Sequence, residues 1–380
     1  MGWIDDHAAR IAAHAERELA ALVAVSSPSV DGEAAEEAIA VTIALLPPEA
    51  EVERIRCSTP ECVDDLLATV RGTGTARLLL VGHLDTVIGH DDHRAMHVDG
   101  DVWTGSGTVD MKGGDVIAIG VMRALAERPE LFAEAALLLV VDEEWRSAPF
   151  LHNARFAGFD ACLCFEAGEL DEHGREAVVV KRKAAAAIEV RATGLSAHSG
   201  VDPDAGRNAL LALADLARTI TDNHHAPGGP ERLTVVPTLM QAGEGLNVVP
   251  ATASLTFDLR ADDVRSFDPV LAAIPAELHG VQLEAAFGRL WPGMDSGDSV
   301  AGLIADASAI AEQELVPASR GGASDASHFA ASILLTIDGL GPRGGGSHAP
   351  DEHVLGSSFE PRARVALALV EAVCSTVSRR

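Results

Sequence analysis

Continuous apolar runs and helical segments alternate at the two ends of the chain. Four runs are typical of strands that are buried on both faces of a sheet: 77–82, 135–141, 160–165 and 333–337. Between them, apolar residues recur every three to four positions, as on one face of a helix, most clearly over Asp115–Glu127. Alternating buried strands and helices predict an α/β layer structure with a mostly parallel central sheet.

Three further helices are predicted from the same periodicity. The first spans Asp5–Val25 and ends at a Ser-Ser-Pro sequence, and the second spans 32–46 and ends at two prolines. The third is the last element of the chain, over Glu360–Val377. The pattern of buried strands and helices therefore returns after the middle of the chain and is followed by a final helix.

The middle of the chain has a different pattern, because its apolar residues alternate in steps of two. Four such segments predict half-buried strands: 177–191, 233–240, 251–260 and 281–287. Two helices are predicted between them, at 206–222 and 267–276. We therefore expect a smaller α+β domain over residues 184–288, inserted into a first domain that comprises 1–183 and 289–380.

The composition narrows the choice of partners and of compartment. The 380 residues include 57 Asp+Glu against 29 Lys+Arg, a formal net charge of −28. This sign disfavours nucleic acid and anionic membrane surfaces as partners. It predicts a well-solvated surface and leaves salt adaptation open. No apolar run of about 18 residues and no leader pattern is found, so we expect a cytoplasmic protein. The five cysteines fit neither a disulfide framework nor a four-cysteine zinc site.

Acidic residues and a histidine directly follow the buried strands. His83 and Asp85 come after the first run, and their spacing on an extended chain places both side chains on the same side. A carboxylate at that position can fix the tautomer of a metal-binding histidine. The second run ends in Asp142-Glu143-Glu144, and adjacent acids beside a buried strand need a cation. One acid is then expected to bind a metal ion and one to act as a base.

Two more candidate ligands lie in glycine-rich segments. Asp110 lies in Gly105–Gly114, whose spacing does not match a phosphate-binding loop, and His348 follows Gly344–Gly346. Together the segments supply two histidines and three carboxylates: His83, Asp110, Glu144, Glu166 and His348. Such a set predicts a pair of divalent metal sites that share one carboxylate. Open α/β sheets bind ligands beyond the carboxyl ends of their strands, where these residues lie.

The chain resembles the M20 metallopeptidases, a family of dizinc amide hydrolases. The similarity covers nearly the whole chain and is greatest to the glutamate carboxypeptidase branch. It rests on motifs spread along the sequence: Gly82–Thr86, Gly105–Gly114, Asp142–Glu144, Glu166, Gly194–Gly200, Asn247–Pro250, Arg320–Asp325, Gly339–Gly341 and His348. The resemblance implies a zinc-peptidase-like catalytic domain and an inserted, ferredoxin-like lid and dimerisation domain.

The resemblance also implies a role for each matching residue of the first domain. Asp110 would bridge two zinc ions, with His83 and Glu166 on one and Glu144 and His348 on the other. Asp85 would orient His83. Glu143 would be the general base that activates water and then protonates the leaving amine. The peptide bond after Asp110 is expected to be cis. Cobalt or manganese would also suit these ligands.

Three residues of the inserted domain, and Arg289 directly after it, match positions that contact substrate in the family. His198 would reach the active site of the partner in a homodimer and help to hold the oxyanion. Asn247 would contact the substrate, and Arg260 and Arg289 would hold its carboxylate, for which a guanidinium fork is suited. Surface ion pairing is the alternative for either arginine.

The sequence departs from the family after the acidic pair, where Trp145-Arg146 replaces a small residue. Asp325 is interpreted as a helix cap. We expect a dizinc enzyme that hydrolyses a peptide bond and releases an amino acid with a free α-carboxylate, a carboxypeptidase and possibly a glutamate-type one. An N-acyl-amino-acid deacylase or desuccinylase is the alternative, because both activities use one metal core. A non-catalytic binding relative is the minor alternative.

Overall fold

The computed structural model describes residues 2–229 and 232–379. Within them the helices are α1 (Trp3–Val23), α2 (Gly32–Leu45), α3 (Gly113–Ala126), α4 (Asn153–Phe156), α5 (Ala209–His224), α6 (Asp268–Ala272), α7 (Gly297–Ile310), α8 (Ala326–Phe329) and α9 (Phe359–Ser378). Among these described helices, none combines the length and the apolar character that crossing a membrane requires.

The strands of the same residues are β1 (Glu51–Ile55), β2 (Asp65–Arg71), β3 (Ala76–His83), β4 (His97–Asp99), β5 (Val102–Thr104), β6 (Phe132–Val140), β7 (Ala161–Cys164), β8 (Glu169–Leu170), β9 (Glu176–Arg182), β10 (Ala184–Thr193), β11 (Thr234–Ala242), β12 (Thr252–Ala261), β13 (Glu277–Leu278), β14 (Val281–Trp291), β15 (Met294–Asp295), β16 (Leu315–Arg320), β17 (Leu335–Ile337), β18 (Gly344–Gly345) and β19 (His353–Leu355). The described residues form two compact units. The first unit contains the chain up to Lys181, Asp295–Arg320 and the residues from Ser324 onward. The second contains Arg182–Met294 and Gly321–Ala323.

A six-stranded sheet in the order β1-β2-β6-β3-β7-β17 forms the centre of the first unit. β3 pairs in parallel with β6 and β7, and β7 pairs in parallel with β17. β2 joins β6, and β1 joins β2, in antiparallel fashion. The central strands are apolar throughout because both of their faces are buried, and α1, α3 and α9 contribute to the same core. The α/β prediction with a mostly parallel sheet is confirmed.

The parallel strands bring their carboxyl ends to one edge of this sheet. β3 ends at His83, and β6 ends two residues before Asp142. β7 ends two residues before Glu166. Gly114 at the start of α3 lies against this edge, where a Cβ atom would come within 1.8 Å of the Phe165 carbonyl oxygen. Glycine is therefore required for the helix to approach the strand end.

The second unit is built on an antiparallel sheet in the order β11-β12-β10-β14-β13. Its core forms between buried residues of α5, such as Leu213, and the inward-facing positions of the strands, such as Ile188, Phe257 and Leu259. The single strand predicted over 177–191 is wrong, because the chain changes sheets at Lys183. β9 pairs within the sheet β15-β9-β16, whereas β10 is the central strand of the second unit. β9 is buried at almost every position, whereas the burial of β10 alternates over its second half. No turn residue separates the two strands.

Candidate metal centre and active site

Five residues at or near the carboxyl ends of the first unit's strands converge on one point. His83, Asp110 and Glu144 each offer a ligand atom within 4.8 Å of the other two. Glu166 lies beside them, with an Oε1 atom 4.0 Å from His83 Nε2. His348 closes the group, with Nε2 3.0 Å from Glu144 Oε1. The structure thus brings together all five residues that the sequence suggested as metal ligands.

Asp110 lies between the two histidines. Its Oδ1 atom is 3.2 Å from His83 Nε2, and its Oδ2 atom is 3.1 Å from His348 Nε2. Each carboxylate oxygen therefore faces a different imidazole. In this position the Asp110 carboxylate could be shared by two cations, and a histidine and a glutamate would be near each of them. Nitrogen and oxygen donors of this kind suit zinc.

The loop around Asp110 is held by a distant carboxylate. Glu352 accepts hydrogen bonds from the backbone N–H groups of Gly107, Val109 and Asp110, at 2.9, 3.0 and 3.1 Å. Gly107 has φ = 76°, a left-handed conformation that favours glycine. The peptide bond between Asp110 and Met111 is cis, as the resemblance implied. The loop therefore presents Asp110 from a fixed backbone.

Asp85 connects the first strand end to the second. Its carboxylate accepts hydrogen bonds from the backbone N–H groups of Glu143 and Glu144, both at 3.1 Å. The Ser29 hydroxyl donates to its Oδ2 atom at 2.6 Å. Its Oδ1 atom is 3.4 Å from His83 Nδ1, and its backbone carbonyl oxygen is 3.0 Å from that nitrogen. Asp85 thus orients His83 and also fixes the turn that carries both glutamates.

The two histidines lie in a strongly acidic environment. Hydrogen bonds with Asp110 and then with Glu144 raise the pKa of His348 to about 10. Burial by itself would lower the pKa of His83, but its hydrogen bonds with Asp110 and Asp85 raise that pKa well above the ordinary value. A site that attracts protons so strongly also attracts divalent cations, and a bound cation must displace those protons.

Glu143 differs from the ligand carboxylates in its environment. It is only 7% exposed. Burial raises its pKa well above the usual range for glutamate, and the nearby Asp325 carboxylate raises it further. A buried carboxyl group with a raised pKa is suited to exchanging protons near neutral pH. Its burial and its acidic surroundings make Glu143 a candidate for general acid–base chemistry.

Arg146 points away from the solvent, whereas its neighbour Trp145 is 64% exposed. The Arg146 guanidinium contacts Asp142 and Asp325, both of which are buried. The interpretation of Asp325 as a helix cap is wrong, because its side chain accepts from Arg146 and makes no capping hydrogen bond to α8. The pairing of Arg146 with Asp325 could not be recognised from local spacing, because the two residues are far apart in the sequence.

A second group of possible ligands lies behind Asp142. Cys57, Asp65 and Asp142 also have ligand atoms within 4.8 Å of one another. The Asp65 carboxylate accepts from the Val141 N–H group and contacts His152 Nε2 at 2.7 Å. The Asp142 carboxylate accepts from the Thr59 N–H group and from Arg146. Protein donors thus already serve both carboxylates, and we assign this group to the hydrogen-bond network of the fold.

The second unit carries the other predicted site residues. His198 and Asn247 lie on two paired loops, where the Ser199 N–H group donates to the Asn247 carbonyl oxygen at 3.0 Å. His198 and Val248 form a β-bridge. Both His198 and Asn247 are exposed. The structure therefore places these two residues together at one end of the second unit.

Arg260 and Arg289 lie on strands that flank β10. Arg260 pairs with Ala185, and Arg289 pairs with Ala187, so both project from the same face of the sheet. Arg260 also forms a fork with Asp258, at 3.0 and 3.1 Å. The Arg289 guanidinium lies 5.0 Å from the Trp291 ring centroid.

Sequence reasoning missed the residues that hold the ligands in place. Glu352 was visible only as one of two acids after His348, and Ser29 carried no signal. Both act on residues that are distant in the sequence, so neither spacing nor periodicity identifies them. Arg146 was noticed as a departure from the family pattern and Asp325 as a helix cap, but their pairing was not predicted.

Comparisons with known proteins agree with this geometry. Residues 79–372 match the model of peptidase family M20/M25/M40. The chain is 28% identical to carboxypeptidase G2 of Pseudomonas sp. (strain RS-16) over 316 residues, which is 79% of this chain and 74% of the relative. It is 27% identical to succinyl-diaminopimelate desuccinylase of Afipia carboxidovorans over 253 residues, which is 60% of this chain and 64% of the relative.

Among solved structures, an M20 family metallo-carboxypeptidase from Sulfolobus solfataricus superimposes with a TM-score of 0.72 at 16% identity. The superposition covers 95% of this chain and 99% of that one, and it shows a shared fold. The family is metal-dependent, in agreement with the donor set described above. The chain belongs to peptidase family M20/M25/M40, and it is a hydrolase of that family.

Proposed function

We propose that the protein is a dizinc amide hydrolase that releases an amino acid with a free α-carboxylate. One observation carries the proposal: Asp110 offers one carboxylate oxygen to the side of His83 and the other to the side of His348. Glu166 and Glu144 complete two ligand sets around this shared carboxylate. His83 and Glu166 would hold one ion, and Glu144 and His348 the other.

Two divalent ions at these ligands would polarise the scissile carbonyl group and lower the pKa of the attacking water. Glu143 takes the proton of that water on its carboxylate and then delivers it to the leaving nitrogen, so that its charge is restored at the end of the cycle. Asp85 keeps the Glu143 and Glu144 backbone fixed during this transfer. Zinc is the preferred ion, and cobalt or manganese would fit the same donors.

The domain that contains the metal ligands comprises residues 1–183 and 289–380 in this proposal, and residues 184–288 form the lid and dimerisation domain. β11 is an edge strand of the second unit, and it exposes Val236, Leu239 and Met240. An exposed edge of this kind favours pairing with another chain. We infer a homodimer formed through this domain, in which His198 of one protomer acts on the substrate in its partner's site and Asn247 contacts that substrate.

Arg260 and Arg289 would bind the substrate carboxylate, since both guanidiniums project from one face of the sheet. The similarity to carboxypeptidase G2 favours a carboxypeptidase, possibly one with glutamate preference. The similarity to a succinyl-diaminopimelate desuccinylase favours the second candidate, an N-acyl-amino-acid deacylase. The two differ in the group on the acyl side of the broken bond.

The test measures metal content and amino-acid release together. Protein purified without chelator is assayed for metal by mass spectrometry and for activity on a panel of peptidyl- and acyl-amino acids. We expect about two metal ions per chain and release that a chelator abolishes and zinc restores. The best substrate then decides between the carboxypeptidase and the deacylase. Two metal ions without any release would favour the non-catalytic relative, and no metal uptake would contradict the ligand set.

A further inference from the structure

Arg146 lies two residues after the acidic pair, and the proposed reaction leaves its role open. Its side chain is 2% exposed, and it sits between two buried carboxylates. Nε and Nη2 donate to Asp142 Oδ1 at 3.2 and 2.9 Å. Nη1 and Nη2 donate to Asp325 Oδ1 and Oδ2 at 2.5 and 3.1 Å. The guanidinium thus uses its full fork to join the end of β6 to the start of α8.

Apolar packing keeps the fork in one orientation. The guanidinium carbon lies 4.6 Å from the centroid of the Phe150 ring. That ring stacks on His328 at 4.5 Å and meets Phe329 edge-on at 5.2 Å. Stacking on one face and bidentate hydrogen bonds at the edge leave the planar group little freedom to rotate.

The surrounding charges explain why the Arg146 guanidinium is needed between Asp142 and Asp325, close to Glu143. Asp142, Glu143 and Asp325 bring three carboxyl groups into one buried region, and Glu143 immediately follows Asp142. Although burial opposes it, the charges of Asp325 and Asp142 raise the pKa of Arg146 above its ordinary value, so the guanidinium stays charged. A buried carboxylate that loses its only charged partner becomes strongly unfavourable, and the surrounding chain moves or takes up a proton.

The turn that carries the two glutamates is therefore fixed from two sides. Asp85 accepts the backbone N–H groups of Glu143 and Glu144, and Arg146 holds the Asp142 side chain. We propose that Arg146 is a positioning residue: by pairing Asp142 with Asp325, it sets the place of Glu143 relative to the substrate. The proposal rests on the proposed function, in which Glu143 is the base.

The experiment compares Arg146→Lys and Arg146→Met with the matched changes at Arg155. Arg155 lies in the same segment, is partly exposed and pairs with Glu53 at the surface. Lysine keeps the charge but cannot bind two carboxylates with a planar fork. For each variant we would measure kcat and KM, the metal ions per chain, the melting temperature and the visible spectrum of the cobalt-loaded protein.

We expect Arg146→Met to lower kcat by about 100-fold and Arg146→Lys by about tenfold, with KM and the metal content unchanged. Adding Asp325→Asn to Arg146→Met should recover part of the lost kcat, because it removes a carboxylate that has lost its partner. The Arg155 variants should keep the activity of the unmodified protein. A merely structural role would lower the melting temperature without this selective effect on kcat or this rescue.

The proposal is overturned if both Arg146 variants retain kcat within about threefold of the Arg155 variants, a change too small for a displaced base. It is also overturned if kcat falls only together with the metal content. If Arg146→Met does not fold, Arg146→Lys alone decides on the same criteria. If the unmodified protein hydrolyses no substrate, the proposed function fails, and the cobalt spectrum becomes the readout. A changed spectrum in Arg146→Lys, with none in Arg155→Lys, still supports the positioning role of Arg146 through Glu144, and an unchanged spectrum overturns it.

Discussion

The two units of the molecule present their candidate functional residues in opposite ways. In the first unit, His83, Asp85 and Glu143 are buried, and hydrogen bonds with neighbouring side chains and backbone groups hold them. In the second unit, His198 and Asn247 are exposed on loops. The first arrangement is complete within one unit, whereas the second places polar groups where another surface can reach them.

This difference separates two tasks. Metal ligands and a general base must be held within tenths of an ångström, and a buried network at the ends of rigid strands provides that precision. Groups that recognise a substrate can be brought to it by binding, so they can lie on loops and half-exposed strands. Substitutions in the first unit should therefore act mainly on kcat or metal content, and substitutions of the arginines in the second mainly on substrate binding.

The largest effect is expected at Glu143. Glu143→Gln keeps the shape of the side chain but removes its ability to take a proton, so kcat should fall by about 1,000-fold or more. Metal content should stay at the level of the unmodified protein, because Glu143 is not among the ligands. Kinetics with metal analysis checks both, and Glu172→Gln, at an exposed position, is the matched control. Retained activity would show that another group is the base.

His198 tests whether the second unit contributes directly to the reaction. His198→Ala should lower kcat by about 100-fold, the usual effect of losing one oxyanion donor, without loss of metal. In the proposed homodimer, mixing this variant with Glu143→Gln should restore activity, because one of the two sites then has both residues intact. Confirmed mixed dimers without activity would contradict a role across the dimer.

Arg260 should show the opposite kinetic signature. Arg260→Ala removes a charge-assisted hydrogen bond to the substrate carboxylate, so KM should rise by about tenfold or more with kcat little changed. The same test at Arg232, which is exposed and pairs with Asp262, is the control. A loss of kcat at constant KM in the Arg260 variant would contradict the proposed difference between the two units.

The smallest effect concerns Asp115, which lies in the first turn of α3. It is fully buried, and neither carboxylate oxygen has a hydrogen-bond partner among the described residues. Burial raises its pKa to about 8, whereas in the unfolded chain it titrates near its ordinary value of about 4. Stability that is present below about pH 4 is therefore lost as the pH rises through about 8.

Burial lowers the pKa of neighbouring Lys112 to about 8. The stability that depends on neutral Lys112 is therefore lost as the pH falls through about 8, the opposite direction to that of Asp115. Asp115→Asn removes only the pH dependence of stability that comes from Asp115. We expect its melting temperature to fall less than that of the unmodified protein between about pH 5 and about pH 8. Equal falls in both proteins would mean that Asp115 does not titrate in this range.

Much of this arrangement could be predicted because it is local in sequence. Apolar runs located the strands β3, β6 and β7, and the acids and histidine that follow them mark the shared edge of the sheet. The boundary between β9 and β10 could not be predicted, because the chain changes sheets at Lys183 without a turn. Likewise, the contacts of Glu352 with residues 107–110, and of Arg146 with Asp325, depend on tertiary packing. The candidate ligands and Asp85 were thus visible in the sequence, whereas the contacts of Glu352 and Arg146 were not.

The contact between Glu352 and the loop of Asp110 has a consequence for how the protein is made. A ribosome synthesises the loop long before it reaches Glu352 and His348, since 242 residues separate Asp110 from Glu352. Until then, the N–H groups of the loop have no carboxylate acceptor, and one ligand set lacks its histidine. The nascent chain can build β3 and β6 early, but in the proposed site tight metal capture must wait for the segment that carries His348 and Glu352. Chains that stop before this segment should therefore lack hydrolase activity.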